Sequence, residues 1–263
     1  MDYNSRPTIS VCASMNNEDR RIEKYIAALI GFADEIILSD TGSTDNTLAI
    51  AERVRGEHPD LIKIFHYKSE GSFHYGRAKN FAIEKASKDF VLVLDLDEVP
   101  SDKFKEEVRD FLRVKNPKVV KIVRKDECLP HLTERIERII ANGNNIFYGT
   151  SDADKVHEQF AHKYTTDTFI PPIWHRQGRD HWLNNPHYRL FYLQLEIERT
   201  PKTKSFFRHI LRGIWMFWYK FKRVYWWQEL YKDGVAGLRY ACLRALYAFL
   251  IQFFVGLKAR EIK

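Results

Sequence analysis

Cysteine is scarce in this 263-residue chain: Cys12, Cys128 and Cys242 are odd in number and far apart. That spacing excludes a small disulfide scaffold and a close-paired zinc site, and it predicts a reduced, cytoplasmic protein. Glycine-rich phosphate loops are missing as well, since neither G-x-G-x-x-G nor G-x-x-x-x-G-K-[ST] occurs. If the chain handles phosphate, a metal ion is expected to meet the charge. The start, Met1 to Pro7, is polar, and the apolar run after it, Ile9 to Ala13, is too short for a secretory signal or a leading membrane span. Neither an internal repeat nor a low-complexity segment is found. With 44% hydrophobic residues over this length, one sizeable α/β domain with an appendage is expected, and intrinsic disorder is not.

Net charge is +7, and it is unevenly placed. Residues 199–263 hold 14 Lys and Arg against 3 Asp and Glu, while residues 1–198 hold 28 against 32. The basic tail also carries 16 of the 37 aromatic residues, among them Trp215, Trp218, Trp226 and Trp227. Aromatic and basic residues together suit an anionic membrane surface. A nucleic-acid binder is the competing reading, but the tail contains no recognisable module and the rest of the chain is acidic.

Short apolar runs alternate with helical patterns through the first half, which predicts βαβ units and a mostly parallel central sheet. Strands are expected at Ile9 to Ala13, Glu35 to Asp40, Leu61 to Tyr67, Phe90 to Leu94 and Val119 to Arg124. Helices are expected near Arg21 to Phe32, Asp45 to Arg55, Gly76 to Ala86 and Asp102 to Val114, with Ser43 and Ser101 as caps of the second and fourth. Past Lys125 the pattern loosens. Asn142 to Asp154 is rich in Gly, Asn and Asp, and Pro171-Pro172 marks a further break, so loops with short strands are expected there. Helix returns from Leu183 to about Glu198, from Lys204 to Tyr231 and from Val235 to Leu257.

The strongest local signal is Val91-Leu92-Val93-Leu94-Asp95-Leu96-Asp97-Glu98, an apolar strand ending in three carboxylates. In an open parallel sheet ligands bind beyond the carboxyl ends of the strands, so these acids fall where a substrate would lie. Crowded acids repel unless a cation is shared, and Mg²⁺ or Mn²⁺ would also bridge to the phosphates of a nucleotide. An acidic turn capping the next helix is the plainer alternative. Two neighbouring strands run into small polar loops. Ala13, Asn16 and Glu18 lie in the first and Asp40, Gly42 and Ser43 in the second, all suited to a nucleotide base and ribose.

Three ordered motifs then coincide: Asp40-Thr41-Gly42-Ser43-Thr44-Asp45-Asn46-Thr47, Gly76-Arg77-Ala78-Lys79-Asn80-Phe81-Ala82, and Leu94-Asp95-Leu96-Asp97-Glu98. Together they resemble the family 2 glycosyltransferases, and among them the short bacterial enzymes similar to lipopolysaccharide-core β-glucosyltransferases. The likeness covers roughly residues 8–160 and continues more loosely through Lys232-Asp233-Gly234. It implies the GT-A (nucleotide-diphospho-sugar transferase) fold, transfer with inversion at the anomeric carbon, and a nucleotide-sugar donor, UDP-glucose by family weight. By the same likeness Asp40 contacts the base, Asp95 the ribose or metal, and Asp97 the metal. Leu96 of the acidic turn and Arg77, Lys79 and Asn80 of the middle motif line the donor site. Many members have Arg where this chain has Lys79, which leaves open whether Lys79 or Arg77 meets the donor. Inversion needs a general base. Val156-His157-Glu158 resembles a Val/Ile-His-Glu segment of the related enzymes, which assigns Glu158 as base with His157 beside it, and Asp152 and Asp154 as runners-up. His175 is the candidate to complete the metal shell, with His181 behind it. A sugar-nucleotide pyrophosphorylase shares the layout, but its glycine-rich, basic signature loop near the first strand is absent.

These readings give a catalytic domain over 1–198, with a nucleotide-sugar half to 125 and an acceptor half from 126, followed by an amphipathic appendage over 199–263. Phe207, Ile210, Leu211, Ile214, Trp218, Phe221 and Tyr225 recur at helical spacing among Arg208, Arg212, Lys220, Lys222 and Arg223. The last helix has 13 uncharged residues between Arg244 and Lys258, short of the ~20 that span a bilayer. The appendage is expected to lie on the inner face of the cytoplasmic membrane, where a glycan or lipid-linked acceptor is handled in cell-envelope polysaccharide or lipopolysaccharide synthesis.

Overall fold

The computed structural model describes residues 6–69, 73–149, 159–176, 186–201 and 205–258. The chain divides into two compact units, one of residues up to 124 with 134–175, the other of 125–133 with 176–263.

The first unit is built on an eight-stranded sheet. Its strands are β1 (Ile9–Met15), β2 (Glu35–Asp40), β3 (Ile62–His66), β4 (Phe90–Val93), β5 (Glu98–Pro100), β6 (Val119–Asp126), β7 (Thr133–Ala141) and β10 (Thr166–His175), in the spatial order β3-β2-β1-β4-β7-β6-β10-β5. β3, β2, β1 and β4 pair in parallel, as the βαβ pattern requires, while β7 runs antiparallel to β4. Helices α1 (Ile22–Leu29), α2 (Thr47–Glu57), α3 (Tyr75–Glu84) and α4 (Asp102–Lys115) make the connections and cover the sheet. On one face Ile9, Val11, Ile36, Leu38 and Leu92 pack with α1 and α4 residues such as Ile26, Phe104 and Val108. On the other, Cys12, Ile37, Val91 and Val93 pack with Ala82 and Ile83 of α3. A second, two-stranded sheet joins β8 (Phe147–Tyr148) to β9 (Phe160–Ala161).

The five strands and four helices expected in the first half are all present, within two residues except where α1 stops short at Leu29. Ser101 caps α4, its hydroxyl accepting from Phe104 N at 3.1 Å. Ser43 does not cap α2. Asn46 holds the cap position, and Asp45 accepts from Thr47 N at 2.9 Å. Two expectations for the later region are corrected. β7 has nine residues and β10 has ten, so the sheet continues where loops with short strands were expected. Pro171 and Pro172 lie inside β10 rather than at a break. They precede Ile173–His175, the three residues paired with β5, so their missing N–H groups cost no rung there.

The second unit contains α5 (Pro186–Arg199), α6 (Phe206–Lys222) and α7 (Gly234–Lys258). α5, expected to close the catalytic domain at 198, is part of this unit, where Leu193 and Ile197 pack with Val255. α6 and α7 meet through small residues. A Cβ on Gly256 would come within 3.0 Å of His209 Cβ, and one on Gly213 within 3.3 Å of Gln252 Cβ. Between the helices, buried His209 pairs through Nδ1 with Gln252 Oε1 at 3.0 Å. The single helix expected to Tyr231 is interrupted by a π-helical turn over Arg223–Trp227 and a 3₁₀ turn over Leu230–Asp233. The stretch Leu230–Lys258 is long and apolar enough by length and composition to cross a membrane, with mean hydropathy 1.6 over its best 18 residues. The 13-residue uncharged run is shorter because it stops at Arg244, and Arg239 lies further back in the same helix.

Candidate active site

The carboxyl ends of β1, β2 and β4 converge at one edge of the sheet, and the loops beyond them are tied together. Asn17, with a positive φ of 55°, turns its side chain to the second loop, where Oδ1 accepts from Thr44 N at 2.8 Å. Glu18 N donates to Thr47 Oγ1 at 2.6 Å. Asp40, at the end of β2, is nearly buried and accepts from Ser43 N at 3.1 Å and Gly42 N at 3.3 Å. Gly42 has φ +105°, which a side chain would strain. Ala13 is buried in β1 and Asn16 is exposed at its end. The sequence candidates of both loops therefore share one rim.

At the end of β4, the repulsion among Asp95, Asp97 and Glu98 is relieved by the chain's own cations. Lys79 Nζ lies 2.9 Å from Asp95 Oδ1, and Arg138 Nη2 lies 2.7 Å from Asp95 Oδ2 and 2.9 Å from Glu98 Oε1. Arg124 Nη1 reaches the same Glu98 oxygen at 2.9 Å. The turn is closed reciprocally, because Glu98 N donates to Asp95 O at 2.9 Å and Asp95 N donates to Glu98 Oε2 at 3.0 Å. Burial pushes the Asp95 carboxyl up, but Arg138 and Lys79, with Arg124, outweigh it and hold the group well below the usual carboxylate range.

Asp97 takes another direction. Its Oδ2 lies 3.3 Å from His175 Nε2, and both side chains are partly accessible, at 23% and 14%. Glu98 is the strand partner of His175 in the β10–β5 pair, so the turn and the histidine are set against each other by backbone register. This pair offers one oxygen and one nitrogen, a set that suits Mn²⁺ or Mg²⁺ when donor phosphates and water complete the shell. Among the described residues no group of three or more His, Cys, Asp or Glu is placed to hold a metal ion by itself. Asp95, expected to meet the ribose or the metal, has each of its carboxylate oxygens in an ion pair, with Lys79 and Arg138.

The middle motif lies on α3. Lys79 is nearly buried and faces Asp95, whereas Arg77 is exposed. Asn80 works on the protein itself: Nδ2 donates to Tyr148 O at 3.0 Å, and Oδ1 accepts from Tyr148 N at 2.8 Å. A Cβ on Gly76 would stand 2.7 Å from Gly149 O, so α3 and the end of β8 touch through backbone. Gly149 N donates to Gln159 O at 3.0 Å, which brings together the two ends of the segment that carries Asp152, Asp154, His157 and Glu158. Those four residues, and His181, lie outside the described residues. Sequence reasoning missed Arg124, Arg138 and His74, which is buried with Nδ1 accepting from Gly76 N at 3.1 Å. The apolar run Ile139-Ile140-Ala141 was the available signal for Arg138, since it marks the preceding arginine as part of a strand.

A curled, mostly parallel sheet with an acidic turn at its carboxyl edge and helices after it defines the GT-A class of nucleotide-sugar transferases. Residues 10–212 match the model of glycosyl transferase family 2, and the chain belongs to that family. It is 31% identical over 159 residues, covering 58% of this chain and 35% of the other, to the SPbeta prophage-derived glycosyltransferase SunS of Bacillus subtilis (strain 168). The chain thus spans about a third of the length of that relative. Two solved structures are similar in fold. Mannosyltransferase PcManGT from Pyrobaculum calidifontis, in complex with GDP-Man and Mn²⁺, has TM-score 0.53 and 13% identity, covering 99% of this chain and 76% of that one. S. aureus TarS 1-349 has TM-score 0.50 and 16% identity, covering 97% and 92%.

Proposed function

We propose that this chain is a metal-dependent, inverting hexosyltransferase that moves a sugar from a nucleotide-diphospho-sugar to a glycan or lipid-linked acceptor in cell-envelope polysaccharide or lipopolysaccharide synthesis. The observation that carries the reading is the pair of Asp97 and His175 beside an Asp95 already neutralised by Lys79 and Arg138. Asp97 and His175 would hold Mn²⁺ or Mg²⁺, which supplies charge neutralisation to the donor diphosphate as the sugar leaves. Asp40 binds the base, with Ala13, Asn16, Glu18, Gly42 and Ser43 around it. Asp95 and Leu96 meet the ribose side, and Lys79 rather than Arg77 is the donor-facing cation. Asn80 shapes the pocket by holding β8. Glu158, with His157 beside it, takes the proton from the acceptor hydroxyl, and Asp152 and Asp154 are the alternatives. UDP-glucose as donor rests on the resemblance of the motifs.

Residues 199–263 are the membrane-facing appendage in this reading, on the inner face of the cytoplasmic membrane. Support comes from the outward face of α6 and the turn after it, where Phe207, Leu211, Ile214, Trp215, Trp218, Trp226 and Trp227 are exposed among Arg208, Arg212, Lys222 and Arg223. Because α7 packs its small residues on α6 and the pair buries His209 and Gln252 between them, we read the helices as lying in the interface. The deciding experiment is a screen of donor hydrolysis across nucleotide sugars with Mg²⁺ or Mn²⁺. Release of nucleoside diphosphate from one donor, abolished by chelator, is expected. Full turnover in excess chelator would remove the metal from the mechanism.

A further inference from the structure

We propose that Arg138 is a positioning residue of this site, setting both Asp97 and His175 through a single guanidinium. The inference rests on the reading of Asp97 and His175 as the metal pair. Arg138 rises from β7 and is nearly buried, and its Nη2 bridges Asp95 on one side of the acidic turn and Glu98 on the other. These are the two residues that close the turn by backbone and side-chain hydrogen bonds, and Asp97 projects from between them. Fixing Glu98 has a second effect. Glu98 begins β5 and is in register with His175 of β10, so the bridge that holds the turn also sets the strand opposite the histidine. Arg124 pairs with Glu98 and Glu134, whereas Arg138 pairs with both Asp95 and Glu98, so the cross-link of the turn belongs to Arg138. Among the described residues the buried Nε of Arg138 has no hydrogen-bond partner. Nη1 donates to the Tyr148 hydroxyl at the longer distance of 3.5 Å, and Nη2 carries both carboxylate bonds. A lysine ammonium is a compact point charge on a flexible stem and lacks the fixed orientation that the guanidinium plane gives Nη2.

The test measures Mn²⁺ binding to the full chain without donor, from the electron paramagnetic resonance of free Mn²⁺, with circular dichroism as the check on folding. Wild type, Arg138→Lys, Arg138→Met and the double variant Arg138→Met/Glu98→Met are compared. The double variant is included because Arg138→Met leaves two buried carboxylates short of a counterion, whereas replacing an ion pair by apolar residues is tolerated. Loss of a group that orients metal ligands typically costs 10- to 100-fold in affinity. Arg138→Met, if folded, and the double variant are expected to bind Mn²⁺ at least ~10-fold more weakly than wild type, with Arg138→Lys in between. A purely stabilising arginine would lower the melting temperature and leave Mn²⁺ affinity alone. Folded Arg138→Met or double variant binding within twofold of wild type overturns the role of Arg138 while leaving the metal pair standing. If wild type itself binds no Mn²⁺, the metal pair and the inference fall together.

Discussion

Two carboxylates, Glu35 at the start of β2 and Asp97 in the turn after β4, stand at opposite ends of the sheet and should answer to different experiments. Glu35 begins β2 at the amino end, buried, where it accepts from Ser10 Oγ at 2.6 Å and from Ser87 N and Oγ at 2.8 Å, and pairs with Lys63. Burial raises its pKa, but the bonds from Lys63, Ser10 and Ser87 prevail and lower it from 4.5 to about 2. A carboxyl depressed on folding contributes stability above its unfolded pKa, and that contribution is lost as pH falls through the folded value. Wild type should therefore lose about 3 kcal/mol between pH 5 and pH 2 through this group, and Glu35→Gln should flatten that part of the curve. Urea unfolding across the range reads it, and parallel curves for the two proteins would refute it. At the carboxyl end, Asp97→Ala should keep the fold and lose divalent-dependent donor hydrolysis. Glu158→Gln should keep donor binding and lose ~10² or more in turnover, the scale of a lost proton transfer. A dead Asp152→Asn or Asp154→Asn beside an active Glu158→Gln would move the base.

At the scale of elements, α3 and β8 form a clamp whose parts can be removed singly. Asn80→Ala deletes both hydrogen bonds to Tyr148 and leaves buried backbone groups unpaired, a loss of about 1–3 kcal/mol. Gly76→Ala pushes a methyl against Gly149 O, which is backbone and cannot swing away, so a cost of similar size is expected. Thermal unfolding ranks both, and a Gly76→Ala protein as stable as wild type would show that the contact yields. The elements also differ in how far the sequence betrays them. β1, β2 and β4 are unbroken apolar runs because both faces of the sheet are covered there. β7 hides behind Glu134, Arg135, Glu137 and Arg138, of which Glu134 pairs with Arg124, Glu137 with Lys121 and His162, and Arg138 with Asp95. β10 hides behind two prolines. One of the charges that break the apolar pattern of β7, Arg138, is also the one that pairs with the acidic turn, so the missed strand and the missed Arg138 are linked. Asp95, Asp97 and His175 were legible because motif and order point to them, while the commitment of Asp95 to Lys79 and Arg138 depends on contacts between residues 16 and 43 positions apart.

Over the whole molecule, charge and aromatic surface divide along the chain, with net −4 before residue 199 and +11 from there on. Each Lys or Arg close to an anionic bilayer contributes on the order of 1 kcal/mol, and salt screens that attraction without touching the burial of tryptophan. The intact chain should float with anionic vesicles and float less, but still measurably, in high salt. Trp215→Ser with Trp218→Ser should weaken flotation at every salt concentration and leave the melting temperature near wild type, since both side chains are exposed. Equal flotation of variant and wild type would show that these tryptophans do not enter lipid. The joined ends at Gly149 and Gln159 have a consequence of another kind, in how the molecule can diversify. Nine residues lie between them in sequence, and the hydrogen bond from Gly149 N to Gln159 O joins the two flanks. Doubling such a run costs only about 0.6 kcal/mol of closure entropy. Under the proposed function, a lineage could therefore lengthen this one stretch of coding sequence around Glu158, the proposed base, and vary its acceptor while inheriting the donor pocket unchanged.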